Sequence, residues 1–202
     1  YKINIIMKNF SKLVLAILIT FNYANVYSQD ENNPWQFSFG INAIDLNADE
    51  FFAVDENWNV SSGLSMFTLS KYLGDNISLG ISGSVNSISK FSDGAEFIND
   101  ATYFAGDLIL KYSLAEALNC ENMQPFVGLG LGKTWMDSLS FMTSNASLGM
   151  NYWFSDVWGL TAQADYKLNM SENGRGNTVM LDEGETMRYS FGFTVKFGGK
   201  DN

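Results

Sequence analysis

The sequence predicts an all-β fold: an eight-stranded antiparallel up-and-down barrel that spans a membrane. Three observations predict it. Apolar residues recur at every second position over segments longer than soluble strands usually run. The connections between those segments are long at one end and mostly tight at the other. A short apolar leader precedes the first segment.

The clearest alternation runs from Trp158 to Met170. Trp158, Leu160, Ala162, Ala164, Tyr166, Leu168 and Met170 share one face; Gly159, Thr161, Gln163, Asp165, Lys167 and Asn169 share the other. The last segment repeats the pattern, with Met187, Tyr189, Phe191, Phe193, Val195 and Phe197 against Arg188, Ser190, Gly192, Thr194 and Lys196. A soluble edge strand does not carry an unbroken apolar face of this kind. Eight strands follow along the chain: Trp35–Ala43, Val60–Tyr72, Ile77–Lys90, Thr102–Leu114, Pro125–Met136, Phe141–Phe154, Val157–Met170 and Met187–Phe197. Alternation falters near Met66-Phe67, which predicts a bulge there. Most of these segments reach the roughly nine to eleven residues that cross a bilayer at a tilt.

The connections "IDLNADEFFAVDENW", "FSDGAEFINDA" and "SENGRGNTVMLDEGET" are long, and "LGDN" and "SDVW" are tight. "AEALNCENMQ" is longer than a tight turn, and the connection at Asp137-Ser138 is short. Ahead of the strands, Lys8 and Lys12 precede an apolar run from Leu13 to Phe21, and Val26-Tyr27-Ser28 supplies a cleavage pattern. This reads as a signal peptide over residues 7–28, with Tyr1–Ile6 as upstream read-through. Residues 29–34 form a short N-terminal segment and 35–198 the barrel.

Period two does not say which face is inside. A soluble lipocalin-like barrel with an apolar interior also alternates. The small and charged residues share one face here, including Asp107, Lys111, Asp165, Lys167, Arg188 and Lys196. A narrow eight-stranded bore holds pairable charges and small residues more readily than rows of Phe, Trp and Leu. Large aromatics also stand near strand ends (Trp35, Tyr152, Phe154, Trp158, Tyr166 and Tyr189), where interfacial girdles belong. The polar face is therefore the lumen, and the first and last strands must meet, because no backbone group stays unpaired in hydrocarbon.

Four stretches carry a resemblance: "NPWQFSFGINAIDL", "NWNVSSGLSMFTLSKYLGDNISLGISGSVN", "QPFVGLGLGKTW" and "SLGMNYWFSDVWGLTAQADYKL". They are similar to the N-terminal eight-stranded barrel of OmpA-family outer-membrane proteins, from Pro34 to Gly198. The resemblance implies export to the cell outer membrane, with Phe197 as the terminal aromatic used in membrane insertion. Such proteins often continue into an acidic linker and a peptidoglycan-gripping domain. Residues 199–202 then read as the stub of that linker.

Composition narrows the function. With net charge −10 and pI about 4.3, the chain is a poor partner for nucleic acid. It has no histidine and one cysteine, Cys120, so histidine-based catalysis and zinc clusters have no ligands. The small outer-membrane barrel enzymes, acyl-modifying and omptin-like, use a catalytic histidine, so no enzyme is expected. "PFVGLGLGKTW" imitates a phosphate loop, but the pattern needs glycine where Val127 stands, and no helix follows. Gly128, Gly130 and Gly132 instead face the lumen and leave room for larger side chains opposite. Lys133 falls on the lipid register, its amine at the outer interface.

No nucleotide, cofactor or metal centre is expected. The expected partners are outer-membrane lipids, and a surface partner or divalent cations at the acidic loops. Those loops take in Asp45, Asp49, Glu50, Asp55, Glu56, Asp93, Glu96, Asp100, Glu172, Asp182, Glu183 and Glu185. The function read is structural, serving envelope integrity or surface interaction, with a filled interior. A soluble ligand-binding barrel and a narrow porin-like channel are the alternatives.

Overall fold

A computed structural model describes residues 31–46, 58–90, 96–137, 139–170 and 185–199. The leader, Tyr1–Ile6, residues 200–202 of the expected stub at 199–202 and most of the long acidic connections lie outside the described residues.

The strands are β1 (Trp35–Asp45), β2 (Asn59–Val60), β3 (Met66–Gly74), β4 (Ile77–Lys90), β5 (Glu96–Ser113), β6 (Met123–Met136), β7 (Leu139–Trp153), β8 (Trp158–Asn169) and β9 (Glu185–Phe197). Each pairs antiparallel with its neighbour, and β9 returns to β1 from Trp35↔Phe197 to Asp45↔Met187. The result is a closed barrel of eight long strands, with the two-residue β2 as a detached piece of the second. Closure removes every free edge from the hydrocarbon, as the backbone requires. β5, the fourth long strand, starts six residues before the expected Thr102, because Lys90↔Glu96 extends the β4–β5 ladder past a register shift.

Two ends differ. At the turn end, Asp75 and Asn76 both take positive φ between β3 and β4, the conformation of a tight two-residue hairpin. Leu114–Asn122 and Phe154–Val157 join strands at the same end. The loop end carries the long connections and the short one at Asp137.

The faces sort as the physics of a bilayer demands. Leu129 is 71% exposed and Ile81 66%, within an outward belt of Leu, Ile, Val and Phe. Gln36, Ser38, Thr68, Ser82, Thr161 and Thr194 point inward and are buried. A soluble ligand-binding barrel has the reverse arrangement, so this one is built for lipid outside. Trp35, Tyr152, Phe154 and Trp158 lie at the turn end; Phe104 and Trp135, 5.2 Å apart between ring centroids, lie toward the loop end.

The expected bulge at Met66-Phe67 is instead an interruption at Ser61–Ser65. Val60 points out before it, and Phe67, Leu69 and Lys71 point out after it, so outward parity changes from even to odd. Three asparagines repair the wall. Asn42 Nδ2 donates to the carbonyls of Ser65 (2.9 Å) and Val85 (3.2 Å). Asn86 Nδ2 donates to Asn42 Oδ1 (2.7 Å) and to the Asn59 carbonyl (2.8 Å). Asn59 Oδ1 accepts from the Ser89 and Lys90 N–H groups at 2.8 and 2.9 Å, while its Nδ2 reaches the Ile44 and Lys90 carbonyls. These amides stand in for missing ladder bonds. Asn59→Ala is expected to lose about 1–3 kcal/mol through the orphaned N–H groups. Faster amide exchange at Ser89 and Lys90 checks it; unchanged protection there contradicts it.

Candidate functional site

The site is the barrel's lumen at mid-height. Arg188 on β9 stands beside Asp165 on β8, its direct cross-strand partner. Its Nη2 and Nε donate to Asp165 Oδ2 at 2.8 and 3.0 Å. Its Nη1 crosses the bore to Asp107 Oδ2 on β5 (2.7 Å) and Ser84 Oγ on β4 (2.9 Å). Lys167 Nζ donates to Asp107 Oδ1 at 2.5 Å. All four charged side chains are buried. In low dielectric such charges persist only when paired and hydrogen-bonded, and each carboxylate here has further donors. Asn145 Nδ2 donates to Asp107 Oδ1 (2.8 Å). Ser147 Oγ and Gln163 Nε2 donate to Asp165 Oδ1 at 2.5 and 2.7 Å.

Two further lysines lie toward the turn end. Lys111 Nζ donates to Gln163 Oε1 (2.8 Å) and lies 4.3 Å from the Phe126 ring centroid. Lys196 lies over Trp153, 4.9 Å from the centroid. Thus four of the six lumen charges form one ion-pair network, Lys111 joins it through Gln163, and Lys196 lies on Trp153 toward the turn end.

The glycines of β6 help explain how Asp107 meets Asn145 across one intervening strand and Lys167 across two. Gly132 lies directly beside Asp107, and Gly130 beside Asn145. A Cβ at Gly132 would run into Asp107 Oδ1 and stand 3.0 Å from its Cγ. A Cβ at Gly130 would meet the Leu108 carbonyl oxygen at 2.5 Å, and one at Gly128 would meet Ile109 Cγ2 at 3.1 Å. The bare strand is therefore a floor on which Asp107 and Ile109 rest. Gly132→Ala is expected to displace the Asp107 carboxylate and lower stability by about 1–3 kcal/mol, as overpacking does. The urea midpoint of the heat-modifiable gel band reads this out; an unshifted midpoint contradicts it.

The lumen also holds bulk that its polar face was expected to exclude. Tyr103, Phe141, Met136, Ile88, Ile44 and Leu46 pack together at the loop end, while Trp153 and Phe126 are buried at the turn end. Polar bonds fill the middle, where charge needs partners, and apolar layers close each end. The signal was present in parity: Phe141 and Trp153 share it with Asn145 and Ser147, and Tyr103 with Asp107. Gln163, Asn145, Ser147 and Ser84 were equally readable as inward, but their hydrogen bonds depend on the bore's cross-section.

Outside the lumen, Lys133 points outward with Nζ 5.2 Å from the Trp135 ring centroid at the loop end. β6 is continuous strand from Met123 to Met136, with no turn or helix for a phosphate. Phe197 is exposed and pairs with Trp35 at the turn end. Not all the acids of the expected loops lie in loops. Asp45 ends β1 and is buried, Glu96 and Asp100 belong to β5, and Glu185 begins β9. The ladders run further toward the loop end than the alternation alone suggests. Asp49, Glu50, Asp55, Glu56, Asp93, Glu172, Asp182 and Glu183 lie outside the described residues. Cys120, half-buried in the connection at the turn end, is a free thiol.

No protein-family profile matches the chain, and no curated protein matches it. Solved structures do. Neisserial surface protein A (NspA) superposes with a TM-score of 0.54 at 12% identity, over 83% of this chain and 98% of that one. The outer-membrane protein AlkL gives 0.54 at 15% identity, over 90% and 98%. The outer-membrane protein OprG from Pseudomonas aeruginosa gives 0.53 at 13% identity, over 87% and 99%. At these identities the likeness is one of fold: the chain has the architecture of the eight-stranded outer-membrane barrels.

Proposed function

We propose that the protein resides in the cell outer membrane as a structural barrel, serving envelope integrity or surface interaction, with a filled lumen and no catalytic activity. The observation that carries this reading is the Asp107–Arg188–Asp165 bridge with Lys167. It ties β5, β8 and β9 together across the bore. The apolar layer around Tyr103 and Phe141 above it and Trp153 below it argue in the same direction. A water-filled channel leaves charges solvated and spaced; this lumen ties four of its six into one buried ion-pair network. The lack of any histidine in the 202 residues supports a non-enzymatic role.

Two measurements test the reading. After membrane fractionation, the protein is expected in the outer-membrane pellet, with faster gel mobility unheated than boiled. Recovery in a detergent-free soluble fraction overturns the membrane role. In planar bilayers the purified barrel is expected to give no large, stable conductance steps; such steps overturn the filled lumen.

A further inference from the structure

The outward residues of β4, taken from the turn end, are Leu79, Ile81, Gly83 and Val85, and then Ser87. Those of β5 are Leu110, Leu108, Gly106 and Phe104, and then Thr102 and Asp100. The apolar belt therefore ends at the level of Val85 and Phe104. The interruption at Ser61–Ser65 sits at that same level, since the Val85 N–H donates to the Ser65 carbonyl (2.8 Å). It opens a cleft of about 500 Å³ on the barrel's outer wall, lined by Ser61, Ser62, Ser65, Asn86, Ser87 and Asp100 among others. On the other side of Val60 lies a second cleft of about 280 Å³. Its walls are apolar: Ile41, Trp58, Val60, Tyr189 and Phe191, with Trp58 and Tyr189 stacked 4.4 Å apart.

We infer that this pair of clefts is a binding site for an amphiphile with an uncharged polyhydroxyl head, such as a sugar-headed lipid of the outer leaflet. The head sits in the polar cleft and the alkyl chain crosses Val60 to lie along Trp58 and Phe191. Three physical points favour this occupant. Outward hydroxyls and a carboxylate at the rim of a hydrocarbon layer are costly without polar partners. The lining offers the hydroxyls of Ser62 and Ser87 and one carboxylate, and none of its residues is cationic, so it suits sugar hydroxyls and repels a phosphate head. Ser87 Oγ occupies one lone pair of Asp100 Oδ2 (3.1 Å), which leaves the carboxylate able to accept from a neighbouring hydroxyl pair. The polar cleft also falls within the roughly 300–1,000 Å³ of small-molecule sites.

The inference rests on the membrane-spanning reading, and the test separates the two. The barrel is refolded in dodecylphosphocholine micelles, its fold is checked by heat-modifiable mobility, and its amide resonances are followed while dodecyl maltoside is added. Saturable shifts confined to Ser61–Ser65 and Val85–Ser89 are expected, with sugar-proton contacts at Ser87 and alkyl-proton contacts at the Trp58 indole. Ser87→Leu and, independently, Asp100→Ala are expected to weaken that saturation by roughly tenfold or more. Outward Ala146→Leu on the far wall leaves it unchanged. Shifts spread evenly around the belt, or untouched by both cleft variants, overturn the site while the barrel stands. Equal saturation by maltose alone overturns the amphiphile in favour of a free saccharide. A chain that stays soluble without detergent overturns the barrel reading itself.

Discussion

Arg188→Met is expected to destabilise the barrel by about 3–5 kcal/mol, because it leaves a buried carboxylate without its counter-charge. The two carboxylates are not equally exposed to that loss. Asp107 keeps Lys167 at 2.5 Å and the Asn145 amide at 2.8 Å. Asp165 keeps only uncharged donors, Ser147 and Gln163, since both of its ionic bonds come from Arg188. Adding Asp165→Asn to Arg188→Met is therefore expected to recover a large part of the deficit, whereas adding Asp107→Asn strands Lys167 and deepens it. Urea titration in vesicles, read as the fraction of fast-migrating band, gives all four midpoints. Equal midpoints for the two double variants would show that the network carries no such asymmetry.

The asymmetry was half visible in the sequence. Alternation put Asp107, Asp165, Lys167 and Arg188 on one face, and strand-to-strand adjacency placed Arg188 near Asp165. Period two fixes a face but contains no shear. Only the registers and the closed bore show that Arg188 reaches β5, four strands back along the sheet, and β4, five back, and that Asp107 meets Asn145 above Gly132 and Gly130. The same gap hid the end layers. Phe141 and Trp153 have inward parity, but parity carries no volume, and the width available at each height depends on what the opposite wall contributes. Gly159, facing Trp153, supplies some of that width: a Cβ there would lie 2.9 Å from the indole. The interruption at Ser61–Ser65 shows in the sequence as a fault in alternation a few residues late, at Met66-Phe67. A parity switch is recognised only where regular alternation resumes, and that is at Met66-Phe67. The clefts on either side of Val60 had no signal at all, because they arise from where β2 stops pairing with β1.

Gly192→Val is expected to prevent closure. β1 and β9 meet along one continuous ladder, and Gly40 and Gly192 oppose each other in it. A Cβ at Gly192 would strike the Phe39 carbonyl oxygen and stand 2.7 Å from the Gly40 Cα. A Cβ at Gly40 would strike the Phe191 carbonyl oxygen and stand 2.6 Å from the Gly192 Cα. The atoms in the way are main chain, so no rotamer change relieves the contact. The seam has to part, and parting it leaves several N–H and C=O groups unpaired in hydrocarbon at roughly 1–3 kcal/mol each. A few such groups match the entire ~5–15 kcal/mol stability of an ordinary domain. Refolding of Gly192→Val into vesicles should therefore yield only the slow, unfolded band. Gly83→Val is the matched control: a Cβ at outward Gly83 meets nothing within 4 Å, and that variant should fold with wild-type yield. Wild-type yield from Gly192→Val would mean that the β1–β9 seam tolerates a wider spacing than this pairing implies. Loss from both variants alike would trace the defect to valine replacing glycine in a strand and not to closure.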